Sequence, residues 1–153
     1  MSTQEDNFTY WRRLEEEGKK IIDRIVGIVY EFVGILRRIG IPYVEPHFFP
    51  FDTRSVSIIF GEHPNMHSRY FSLSLEDINL NVQKKEVVLT IRTVRLSSWI
   101  GGRDQMPREG LVTHELDKYR NLSVHLDQLL TKLAEIYNSV RTHEICSFLP
   151  PIS

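Results

Sequence analysis

The chain has 153 residues, 41% of them apolar and 25% charged, with a formal net charge of −1 and a single cysteine, Cys146. That length suits one domain with a modest core, and those proportions are ordinary for a globular protein. One cysteine excludes an intrachain disulfide and points to a reducing, cytoplasmic setting. The near-neutral total argues against a tight nonspecific nucleic-acid binder, and no apolar run reaches the roughly 18 residues of a membrane span.

Residues 1–8 read as a polar tail, and 9–108 as one α+β domain. Thr9 is placed to cap a helix from about Tyr10 to Ile39, closed by Gly40 and Pro42. Leu14, Ile21, Ile25, Ile28, Phe32, Ile35 and Ile39 form one apolar stripe on it, and Ile22, Val26, Val29, Val33 and Leu36 a second. Two adjoining stripes predict a helix covered over much of its circumference, lying against a sheet and another helix. Gly18, Gly27 and Gly34 recur within it at intervals of nine and seven residues.

The middle of the chain alternates with period two. Val56, Ile58 and Phe60 share one face; Phe71, Leu73 and Leu75 repeat the pattern, followed by Ile78, Leu80 and Val82, then Val87, Leu89 and Ile91. Such alternation predicts antiparallel strands covering a helix on one side. Glu76–Asp77 reads as a turn or a bend, giving four strands or three, and Gln83 to Glu86 as a hairpin turn. A further edge strand near Tyr43–Val44 is limited by Pro42, Pro46 and Pro50. Ser97 to Gly110 reads as a loop, because it contains Gly101, Gly102, Pro107 and Gly110.

From Tyr119 the apolar residues step by three and four: Tyr119, Leu122, Leu126, Leu129, Leu133, Ile136 and Val140. This is a heptad seam, and its narrow stripe predicts a helix over 109–145 that dimerises as a coiled coil, with 146–153 as a tail. The alternative is a final helix that packs on its own sheet or on the first helix. Leu130 and Tyr137 widen the stripe toward that second outcome.

Catalytic and metal chemistry find little support. His63 and His67 are four apart but separated by Pro64 and Asn65, which makes a turn of the segment. His114-Glu115 lacks a second histidine four residues on, and no Gly-x-Ser-x-Gly turn or phosphate-binding loop occurs. No cofactor, metal or catalytic residue is therefore expected. Rings interleaved with bases are more suggestive. Residues 84–108 carry six basic and two acidic side chains, whereas 109–153 carry four basic and six acidic. Phe48, Phe49 and Phe51 crowd a proline-constrained loop, although they also suit a core position at the sheet edge. Tyr70 and Arg92 fall on the polar strand face. Trp99, flanked by Ser and Gly residues, is hard to bury. Exposed rings stack bases at roughly 1–3 kcal/mol each while guanidinium groups hold phosphates.

The order long helix, antiparallel meander, loop and terminal zipper helix, over residues 10–142, resembles the ThermoDBP family. These are single-stranded DNA-binding proteins of certain hyperthermophilic archaea. The resemblance is architectural, carried by the Leu122-Leu126-Leu129-Leu133-Ile136 zipper and the strands before it. It implies a long N-terminal helix on a three- to four-stranded antiparallel sheet, and a homodimer joined by its C-terminal helices. It also implies a cleft that grips single strands, lined here by Phe48, Phe49, Phe51, Tyr70 and Trp99 and flanked by Lys84, Lys85, Arg92, Arg95 and Arg103. The expected function is thus a non-enzymatic single-stranded DNA binder. The alternatives are a protein-interaction or assembly module dimerising through its last helix, and a single-stranded RNA binder.

Overall fold

A computed structural model of the chain describes residues 3–48, 54–63, 67–83, 86–101, 109–142 and 149–153. Helix α1 (Thr3–Arg38) has 36 residues, about 54 Å at 1.5 Å per residue. It begins ahead of Thr9, so the cap expected at that residue lies inside the helix. Its buried positions Val29, Phe32, Val33 and Leu36 follow the three-and-four spacing of one helix face. It stops at Gly40, whose φ of +103° opens two nested bonds: Gly40 N–H to Arg37 O at 3.1 Å and Ile41 N–H to Leu36 O at 3.2 Å. Those bonds occupy carbonyls that the last turn would leave unpaired.

Six antiparallel strands follow: β1 (Tyr43–Phe48), β2 (Val56–Gly61), β3 (Arg69–Gln83), β4 (Glu86–Ile100), β5 (Glu109–Glu115) and β6 (Leu122–His125). They form one sheet in the order β1-β2-β3-β4-β5, with β6 also paired to β4. β5 and β6 lie along the same edge of β4 as one interrupted strand. Residues 116–121 span only Arg92 to Val94 between them, tied by Leu116 N–H to Val94 O at 2.8 Å and Asn121 N–H to Arg92 O at 3.0 Å. Helix α2 (Leu129–Arg141) closes the fold after a short 3-10 turn over Leu126–Gln128. Leu149 is buried, and residues 149–152 are held against α2. Tyr137 Oη donates to Pro150 O at 2.6 Å, Asn138 bonds both ways with the Ile152 backbone, and Arg141 Nε donates to Leu149 O.

The long β3–β4 hairpin changes face at one place. In β3 the core side chains are Phe71, Leu73 and Leu75, then Ile78 and Leu80; in β4 they are Leu89 and Ile91, then Val94 and Leu96. Odd becomes even in both strands as the numbering rises. The switch falls at Asp77, which has φ +53°, beside Arg92, with 3.8 Å between Asp77 Oδ2 and Arg92 Nη1. Aspartate tolerates this left-handed backbone better than a branched residue. The strand bends there, and apolar side chains stay on the helix side along its whole length.

The expected architecture is corrected on two counts. The sheet has six strands, not three or four, and the segments on either side of Glu76–Asp77 are one strand. The C-terminal part is no coiled coil. Tyr119 lies in a 3-10 turn, Leu122 in β6 and Leu126 in a second 3-10 turn; only Leu129, Leu133, Ile136 and Val140 are on the 13-residue α2. All but the half-buried Leu122 are buried inside one core. The ring of Tyr137 meets Phe32 of α1 edge-on at 6.4 Å and Phe60 of β2 at 5.9 Å. The seam that resembled a zipper faces its own sheet.

Candidate functional site

The ring-and-arginine surface expected from the sequence is dispersed. Tyr70 and Trp99 do share the sheet face opposite the helices, paired across β3 and β4. They stack at 5.9 Å, and Tyr43 packs edge-on against Tyr70. Yet Tyr70 is 0% and Trp99 3% exposed, forming with Ile59 a second small core. Tyr70 Oη donates to His63 O. Trp99 stands on β4, not in a loop, opposite Tyr70 of β3, and packing with Tyr70 and Ile59 on that face buries it. Arg95 on this face meets Glu76 at 3.0 Å, and Arg92 faces Asp77. Phe48 ends β1 with 41% of its surface exposed and its ring 5.9 Å from Tyr30. Phe49, Phe51, Lys84, Lys85 and Arg103 lie outside the described residues.

A different concavity is built where the strands have unequal lengths. β2 begins at Val56, opposite Leu75, so the part of β3 beyond Asp77 has no β2 neighbour. Helix α1 runs across this step, and a groove of about 350 Å³ remains between it and the sheet. Gly18, Ile22, Ile25 and Val26 line it from α1, Phe48 and Val56 from the strand ends, and Ile78 and Leu80 from β3. The four α1 positions share one helix face by their spacing of four, three and one. Ile22 and Val26 belong to the second apolar stripe, which was legible in the sequence; that it lines an opening was not. Gly18 leaves room, since a Cβ added there would meet nothing within 4 Å.

Among the described residues the polar lining is confined to Arg54 and Ser55, adjacent in the chain. Arg54 is exposed and adopts φ +46°, a conformation rare for an arginine. Its carbonyl accepts from Ile78 N–H at 3.0 Å, and its Nη1 lies 3.5 Å from Asn79 Oδ1. A backbone bond beside the bend in β3 thus holds a cation at the rim of an apolar groove. Sequence reasoning passed over Arg54, because a lone arginine between two strands has no distinguishing spacing.

A second cavity, about 310 Å³, is polar and lined by Arg24, Glu86, His125, Asp127 and neighbours. Its side chains already face one another: Arg24 Nη2 lies 2.6 Å from Asp127 Oδ1, and His125 Nδ1 lies 3.9 Å from Glu86 Oε2. Among the described residues no three of His, Cys, Asp or Glu converge as metal ligands, and no helix is long and apolar enough to cross a membrane. Comparison of the chain with protein-family models, with curated proteins and with solved structures finds no match in any of the three.

Proposed function

We propose that this protein is a non-catalytic binding module that holds an elongated apolar ligand in the groove between α1 and the bent β3 strand. One observation carries the reading: a groove of about 350 Å³ whose described lining is apolar except at Arg54 and Ser55. Ligand sites are commonly concave, mostly apolar, and furnished with a few placed polar groups, in the range of about 300–1,000 Å³. A volume near the lower end of that range suits a single chain of carbons rather than a helix about 10–12 Å across. A single-stranded nucleic acid is less well served. Such a polymer needs accessible rings and uncommitted cations, whereas Tyr70 and Trp99 are buried and Arg92 and Arg95 face carboxylates.

Gly18→Leu tests the reading without harming the fold. Leucine improves helix propensity by about 1 kcal/mol over glycine, and its side chain enters open space at the groove. Titration with anilinonaphthalene sulfonate, a dye that brightens in apolar sites, should give one saturable site on the unaltered chain. In Gly18→Leu the dye affinity should drop at least tenfold while the melting temperature holds or rises. Unchanged dye binding would remove the groove as the receptor. A labelled single strand that binds at low salt equally well to both proteins would instead favour nucleic acid at another surface.

A further inference from the structure

We infer that β5 is a docking edge for a second copy of this chain, the two β5 strands pairing antiparallel about a two-fold axis at Thr113. Two six-stranded sheets would then continue into one. The inference is independent of the groove reading, since no residue of β5 lines the groove. Among the described residues β5 ends the sheet on its side, and six of its seven residues are exposed. Leu111 and Val112 keep 56% and 45% of their surface, and Ile100 on the neighbouring strand 41%. Two bonds fix where its backbone groups point. Leu116 N–H donates to Val94 O at 2.8 Å on one side of β4, and Gly101 N–H, just past β4, donates to Ser68 O at 3.0 Å on the other. Bonded and non-bonded pairs alternate along an antiparallel ladder, so even-numbered residues of this stretch of β4 bond toward β5 and odd-numbered ones toward β3. Val112 and His114, opposite Ser98 and Leu96, therefore bond inward. Thr113 and Glu115, opposite Ser97 and Arg95, turn their N–H and C=O groups away from the sheet.

An edge of this kind templates another strand unless proline, lysine or a bulge blocks it. The opposite edge, β1, carries Pro46; β5 has neither proline nor lysine. Its irregularity, where Gly110 and Leu111 together oppose Trp99, lies near its start and leaves Val112–Glu115 regular. A second copy is the occupant these residues specify. Centred on Thr113, the strand is its own complement, because one residue supplies both the free donor and the free acceptor that its counterpart needs. Glu115 then falls opposite Leu111 of the second copy and His114 opposite Val112, so no like charges meet along the paired stretch. Centred on Val112 instead, Glu109 would face Glu115, which repels. Beyond Glu115 the chain leaves the edge in the 3-10 turn Asp117–Tyr119, which limits the pairing to a short strand. So small an interface belongs to the weak, reversible class.

The experiment is sedimentation of the full chain over a hundredfold range of concentration, which should show a reversible equilibrium between one copy and two. Thr113→Pro removes the outward N–H at the axis, together with the exposed hydroxyl contact to Ser97 at 3.0 Å. It should weaken association about tenfold or more while circular dichroism stays that of the unaltered chain. Thr113→Lys and Thr113→Glu should each sediment as single copies, because residue 113 meets itself across the axis. Mixed in equal amounts, the lysine and glutamate variants should associate again. A chain that stays single throughout the range would overturn the inference. So would a dimer that Thr113→Pro leaves intact, or a lysine and glutamate mixture that fails to associate.

Discussion

Arg54 combines a backbone that arginine disfavours with a side chain placed at the groove rim. A left-handed backbone costs a non-glycine residue about 1–2 kcal/mol, and such strain concentrates at functional positions. Glycine adopts the same φ without that cost, but loses about 0.5–1 kcal/mol through the greater freedom of its unfolded chain. Arg54→Gly should therefore raise the unfolding free energy by about 0.5–1 kcal/mol, measured by denaturant titration. A loss of stability on that change would mean that the Arg54 side chain supports the fold. Asp77 and Asn121 share the left-handed conformation, yet each belongs to a residue type that tolerates it, at a bend and at a turn.

At the scale of elements, the C-terminal leucines decide between two fates that one periodicity permits. A three-and-four spacing marks a narrow stripe, and α2 satisfies it by lying on its own sheet, with Leu133 and Ile136 wholly buried. Leu133→Ala should cost about 2–5 kcal/mol, as deletion of buried methyl groups generally does. The loss should not vary with protein concentration, because the contacts lie within one chain. A concentration-dependent loss, checked by thermal melts over a hundredfold dilution series, would return the seam to an interface between copies. The alternation of Val56–Phe60, Phe71–Leu75 and Val87–Ile91 was legible in the sequence and each segment lies in a strand. The bend at Asp77 was visible as a shift in parity but read equally well as a turn, so one strand looked like two. Leu122 and Val124 alternate with Ser123 and His125 as a strand should. That four-residue signal was masked because Leu122 and Leu126 also fit the heptad. Trp99 was read from its Ser and Gly neighbours, and local composition does not reveal that β3 sets Tyr70 directly opposite it. The groove was least legible of all, since it arises from the offset between the ends of β2 and β3, a property of pairing register.

At the scale of the whole molecule, residues 149–153 complete the packing of α2. Three side chains of that helix, Tyr137, Asn138 and Arg141, bond to backbone atoms of residues 149–152. At about 1 kcal/mol for each such side chain, a chain cut after Phe148 should lose about 3 kcal/mol or more of stability. Denaturant titration of the shortened chain would show this as a lower midpoint with little change in slope. An unaltered midpoint would reduce those contacts to surface decoration.

The contact between Phe32 and Tyr137 joins the first helix to the second, with all six strands lying between them in the chain. A domain generally folds as a unit, and here the residue that completes the core arrives only after the whole sheet has been made. Until α2 emerges from the ribosome, the stripe Val29, Phe32, Val33 and Leu36 has no opposing helix. Chains stalled before α2 should therefore be recognised by chaperones that bind apolar surface more than completed chains are, as capture of the two would show.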